Sequence, residues 1–208
     1  MNTLQRNTIY IVFLLIFTAL AIYNLILGSQ WFIDSVISVL LLSIAVFISR
    51  WVGAKASELV MFNIIIVIHD LGSFGFYNFH YGLLYYDHII HFLGGLLGAY
   101  IFFNVIARKL NTLKHERVGR TCVEDHKLML AFFVISIVLM LGLVVEITEF
   151  VGYTYLGAGE GMMFVGAGDS DNIADIAGQY IDTMQDIIAN MAGAVISVLF
   201  CFAIYRKR

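Results

Sequence analysis

Six long apolar stretches, none containing a proline, dominate this 208-residue chain. They run roughly over residues 9–27, 31–49, 59–79, 88–106, 128–150 and 186–205. A helix rises about 1.5 Å per residue, so each can cross most or all of the ~30 Å hydrocarbon core of a bilayer. A soluble helical domain would need polar faces that these stretches lack. The hydrophobic fraction of 61% and mean hydropathy of +0.88 agree. The expected fold class is therefore all-α: a polytopic membrane helix bundle of six transmembrane helices, forming one membrane domain over 1–208 without an internal repeat. The first stretch is longer than the apolar core of a signal peptide and no clear small-residue cleavage site follows it, so it reads as a span.

Lys and Arg set the expected orientation. Arg6, Arg50, Lys55, Arg108, Lys109, Lys114, Arg117, Arg120, Lys127, Arg206, Lys207 and Arg208 account for all twelve basic residues. With six spans they share one side, which the positive-inside rule makes cytoplasmic, together with both termini. The net charge of −3 hides this polarity. Such cations can meet anionic lipid and require no nucleic acid. The expected location is the cell membrane, with membrane lipids as neighbours. Cys122 and Cys201 form neither a disulfide framework nor a thiolate metal motif.

The opposite side gathers acids. Asp87 and His91, Glu146 and Glu149, and Asp182 and Asp186 are pairs three or four positions apart, so each pair shares a helical face. Counted from the inner span ends, His91 lies ~22 Å, Glu146 ~27 Å, Asp186 ~27 Å and Asn190 ~21 Å along its helix. Three helices thus bring polar residues to one level beneath the outer interface. His88 joins from the side. Carboxylates crowded in a partly dry site cannot all stay ionised unaided, since each bare ion costs several kcal/mol. With no Lys or Arg expected there, the remedies are a bound cation, proton uptake or water. An oxygen-rich set with imidazoles suits a divalent metal cation such as Mg²⁺, Mn²⁺, Ca²⁺ or Zn²⁺.

The expected metal ligands are Asp87, His91, Glu146, Asp182 and Asp186, with Glu149 and His88 as catalytic proton carriers. Asn190, Gln185, His69 and Asp70 are expected to contact substrate or support the ligands. His69-Asp70, near Asn63, reads either as a polar lock between spans or as a step in a proton path. Asp34 and Asn24 look interfacial. Tyr77, Tyr81, Tyr85, Tyr86, Tyr153, Tyr155 and Tyr180 read as an outer aromatic belt. Gly94, Gly95, Gly98, Ala189 and Gly193 suggest close helix packing through small residues. The outward loop 156–181 is rich in Gly and acid, and its Met162-Met163-Phe164-Val165 run could dip into the interface. Asp169-Ser170-Asp171-Asn172 with Asp175 resembles a calcium loop only faintly, lacking its glycine at Ala174 and its glutamate at Tyr180.

The run Tyr86-Asp87-His88-Ile89-Ile90-His91-Phe92, the step from Glu146 to Glu149-Phe150, and Asp182-Thr183-Met184-Gln185-Asp186 through Asn190-Met191-Ala192-Gly193-Ala194 resemble the VanZ-like and YjdF-type membrane proteins. Those families pair a D-x-x-x-H-F stretch with a later E-x-x-E and a D-T-x-x-D-x-x-x-N-x-x-G-A helix. The resemblance covers spans four to six and implies a multi-pass fold with these positions in its site, without assigning a reaction. The stretch before Asp182 is longer here than in that pattern.

Three functions suit the residues. A metal-dependent membrane hydrolase or transferase would act on a lipid or lipid-linked substrate, or on another small molecule. A proton- or cation-coupled transporter would use the same acids as binding groups, though the inner halves of spans four to six are nearly all apolar. A sensor or assembly partner would only bind the cation.

Overall fold

A computed structural model describes residues 1–82, 84–113, 126–165 and 176–205. Six helices form the bundle: α1 (Thr3–Ile26), α2 (Trp31–Val52), α3 (Ala56–Asp70), α4 (Tyr86–Leu113), α5 (Lys127–Leu156) and α6 (Ile176–Tyr205). With the short turn that extends α3, all six are long and apolar enough to cross a membrane. Their outward faces carry Leu15, Phe47, Phe132 and Leu199, each more than half exposed. In water such continuous apolar surface would drive aggregation; in a bilayer it is ordinary lipid contact.

The helices differ from the sequence expectation mainly at the acid-bearing end. The third stretch does not stay α-helical to residue 79. α3 stops at Asp70, and 3-10 turns follow over Leu71–Phe74 and Phe76–Asn78. A two-residue hairpin then pairs His80–Tyr81 with Leu84–Tyr85 and delivers the chain to α4. α6 begins at Ile176, well before Asp186, so the connection anticipated over 156–181 is shorter than expected. The helical ends anticipated for the 107–127 connection are present, α4 reaching Leu113 and α5 starting at Lys127. Lys114, Arg117, Arg120, Cys122, the Asp169–Asp175 run and Arg206–Arg208 lie outside the described residues.

Two apolar cores divide the bundle. Phe13, Phe17, Leu42 and Ile66 join α1, α2 and α3. Ala99, Phe103, Ala107, Leu130, Val134, Val138, Ala194, Val198 and Cys201 join α4, α5 and α6. The tightest approach is between α4 and α6, and small residues make it possible. A Cβ at Gly95 would collide with the Asn190 backbone, and one at Gly193 with the Phe92 carbonyl and the Leu96 amide. Close packing of backbones is what small residues supply in a bilayer, as the Gly pattern suggests.

At the basic end, Glu58 is buried and receives both guanidinium nitrogens of Arg108, one at 2.7 Å. The same carboxylate accepts the Lys55 amide and closes the first turn of α3. This bidentate pair ties α3 to α4 across the two halves. The other described Lys and Arg residues stand at this end too, on the first turns of α1 and α5, the last turn of α2, the 53–55 turn, and α4 at Lys109, beside Arg108.

Candidate functional site

Opposite that end, the three helical stripes converge. Asp87, His88 and His91 of α4, Glu146 and Glu149 of α5, and Asp182, Asp186 and Asn190 of α6 are all buried. The spacing explains it: three- and four-residue steps return each pair to one face, and the Gly95–Gly193 crossing brings α4 and α6 together. Asp186 has no exposed surface at all.

His91 is the centre of the contacts. Its Nε2 lies 3.5 Å from Asp87 Oδ2 and 3.5 Å from Glu146 Oε1, so it touches acids of two helices. Its Nδ1 lies 2.7 Å from the Asn190 side-chain amide on a third. Gly142 makes room for that amide, since a Cβ there would stand 2.6 Å from Asn190 Nδ2. His88 approaches from the side: Nδ1 accepts the Tyr85 amide at 3.3 Å, and Nε2 faces Asp186 Oδ1 at 3.9 Å. The Thr183 side chain stands close to Glu146.

Several buried atoms here have no hydrogen-bond partner among the described residues. They are Glu146 Oε1, Asp182 Oδ1, both oxygens of Asp186, and His88 Nε2. Buried polar atoms are normally paired, and an unpaired charge is costlier still. Among the described residues no Lys or Arg pairs with these acids. Two ligand sets exist, Asp87–His91–Asp186 and His88–Asp182–Asp186, each with its ligand atoms within 4.8 Å of one another.

A hydrogen-bonded row runs away from this cluster. The Tyr77 hydroxyl donates to Asp87 Oδ1 at 3.3 Å and lies 3.2 Å from His69 Nδ1. His69 Nε2 in turn lies 3.3 Å from Asp34 Oδ1, which also accepts the Met162 amide at 2.7 Å. Three hydrogen bonds join Asp34, His69, Tyr77 and Asp87. Asp70 points elsewhere and accepts Ser38 Oγ at 3.1 Å, locking α2 to α3. Asp70 is thus a polar lock between α2 and α3, while His69 belongs to the row. Asn63 is buried and, among the described residues, its side chain bonds to the Leu59 carbonyl of its own helix.

Several expectations are corrected. Asp34 and Asn24 are not interfacial; each is 1% exposed, and Asn24 bonds to Ser35. Tyr77, Tyr85 and Tyr86 do not form a belt but are buried, Tyr77 and Tyr86 packing with Trp31 against the site. Tyr81, Tyr155 and Tyr180 do face outward. In the 162–165 run, Phe164 and Val165 are buried within the fold, while Gly161, with φ +111°, turns beneath Asp34. A Cβ at Gly161 would stand 2.5 Å from Asp34 Oδ2, so glycine is required for the turn and for the approach. Gln185 is half-buried, off the Asp182–Asp186–Asn190 stripe. Sequence reasoning missed Tyr77, Thr183 and Asp34 as members of the site and its support. Thr183 was legible in principle, being next to Asp182 on the polar stretch of α6; Tyr77 was not, because the 3-10 turns that fold it inward leave no periodic signal.

The match to known families spans residues 6–208 and is described as Predicted membrane protein (DUF2238). The chain belongs to the DUF2238 family. No curated protein and no solved structure matches this DUF2238 chain. The family description agrees with the six spans and is silent on the buried acids of this DUF2238 protein, whose chemistry rests on the geometry above.

Proposed function

We propose that the acid–histidine cluster binds a divalent cation and serves a metal-dependent membrane hydrolase or transferase acting on a lipid or lipid-linked substrate. One observation carries the reading. Asp186 is fully buried, keeps both oxygens unpartnered, and faces two ligand sets on α4 and α6. Ordinary structural acids are buried with a partner, as Glu58 is with Arg108. Asp87, His91, Glu146, Asp182 and Asp186 are the ligands in this reading, and His91 is held by Asn190.

A bound cation would polarise a phosphoryl or acyl oxygen and activate water. The protein's own groups do the rest. Glu149, one turn beyond Glu146, takes the proton from water. His88 gives one to the leaving oxygen, because Nδ1 accepts from Tyr85 and the ring proton therefore sits on Nε2. His69 and Tyr77 hold Asp87 in place. By the positive-inside rule the basic end is cytoplasmic, which puts the site in the outer leaflet of the cell membrane with both termini inside. The resemblance of spans four to six to VanZ-like and YjdF-type proteins agrees with the same residues forming the site.

The transport reading is second. The row from Asp87 to Asp34 favours it, since it could pass a proton. Against it, Phe103, Val134, Val138 and Val198 fill the bundle between the acids and the basic end. The test is metal analysis of the purified full chain, repeated for Asp186→Asn and His91→Ala. Retained Mn²⁺ or Zn²⁺ that both variants lose, with release of phosphate from a polyprenyl pyrophosphate, is the expected result. A chain that retains neither ion overturns the cation reading. Proton or cation flux in proteoliposomes without hydrolysis would replace the enzyme with a transporter.

A further inference from the structure

The unpartnered atoms form two ligand sets, and a single residue belongs to both. Asp87, His91 and Asp186 make one, and His88, Asp182 and Asp186 the other. Asp186 Oδ1 lies 3.9 Å from His88 Nε2, and neither Oδ1 nor Oδ2 has a hydrogen-bond partner among the described residues. A carboxylate with two free oxygens between two ligand sets has the form of a bridge. The geometry points to a binuclear divalent-metal centre in which Asp186 bridges two ions, one held with Asp87 and His91, the other with His88 and Asp182. This inference rests on the cation reading above and extends it to stoichiometry, metal type and substrate class.

Charge argues the same way. Asp87, Glu146, Glu149, Asp182 and Asp186 are all buried at this end, while every described Lys and Arg is at the other. Counting Asp87, Glu146, Asp182 and Asp186 alone, one dication would leave two of four carboxylate charges uncompensated; two would leave none. Residual charge of the first size is hard to keep in a low-dielectric interior.

The imidazoles can both ligate through Nε2. Doing so places the ring proton on Nδ1. For His91 the Asn190 side chain then presents its oxygen rather than its nitrogen, a half-turn of an amide whose two ends are alike in shape. For His88 it gives up the Tyr85 contact, which at 3.3 Å is already long. When the second ion is bound, His88 is a ligand and the leaving oxygen takes its proton from water instead.

An imidazole with two carboxylates per ion suits Mn²⁺ or Zn²⁺ better than Mg²⁺ or Ca²⁺. Two ions sharing a carboxylate lie ~3.5–4 Å apart and clamp the oxygens of a phosphoryl group during in-line displacement. The substrate class is therefore a phosphate or pyrophosphate ester rather than a carboxylic ester.

The test is to strip the full-length protein in detergent with chelator, reload it with Mn²⁺, count the metal and record its electron paramagnetic resonance spectrum. Two Mn²⁺ per chain with an exchange-coupled multiline spectrum is the expected result. Asp182→Asn, nearly the same shape, should retain one ion and show the six-line spectrum of an isolated Mn²⁺. Should that variant fail to fold, His88→Gln tests the same ion. One Mn²⁺ in the unaltered protein, or two without exchange coupling, overturns the bridge while the single-cation reading stands. No bound Mn²⁺ at all overturns both.

Discussion

The side-chain amide of Asn190 sits 2.7 Å from His91 Nδ1 and thereby aims His91 Nε2 at Asp87 and Glu146. One hydrogen bond between α4 and α6 therefore orients the imidazole that touches the acids of two helices. Partners of this kind fix both the ring and its tautomer.

Asn190→Ala should weaken divalent-cation binding by about 10–100-fold, the usual effect of removing such a partner. Calorimetric titration with Mn²⁺ checks it. Unchanged affinity in a folded variant would remove Asn190 from any role in positioning His91.

Gly95→Ala should lower the melting temperature of the detergent-purified protein, because the new methyl overlaps the Asn190 backbone. Overpacking of this kind costs about 1–3 kcal/mol. Forcing α4 from α6 also spreads the ligands, so cation binding should fall with stability. Thermal unfolding followed by intrinsic fluorescence, beside the same titration, decides whether the two losses occur together.

Arg108→Ala strips Glu58 of its guanidinium partner and leaves a buried carboxylate. Losing one member of a buried pair costs about 3 kcal/mol or more. The double variant Arg108→Ala/Glu58→Gln should recover part of that loss. A double-mutant cycle in denaturant measures the coupling, and additive effects would contradict it.

Asp34→Ala removes the acceptor of the Met162 amide. A hydrogen bond to a charged group contributes about 1.5–3 kcal/mol, so protection of that amide against hydrogen exchange should fall by roughly tenfold or more. The same change releases His69, and with it the support of Tyr77 for Asp87. Exchange mass spectrometry over 158–165 is the measurement; undiminished protection would mean that Asp34 does not hold the segment.

The helices were legible because hydrocarbon demands long apolar runs, and the acids were legible because helical spacing puts i and i+4 on one face. That is why Asp87, His91, Glu146, Asp186 and Asn190 could be placed together from sequence. Asp34 and Tyr77 could not. Both sit near the ends of apolar stretches, where an acid or a phenol at an interface is the ordinary case. Only tertiary contacts, through the Gly161 turn and the 3-10 segments after Asp70, draw them inward. The early start of α6 was hidden for a related reason: polar residues extend a helix beyond the hydrocarbon without any hydropathy signal.

The hydrocarbon packing of Phe103, Val134, Val138 and Val198 beneath the acids closes the bundle on that side. On the proposed function, a reactant that reached Asp186 would meet that packing, so reactant and spent product would share one doorway. Departure and arrival then compete, and turnover in this bundle would be governed by traffic at the mouth rather than by distance travelled inside.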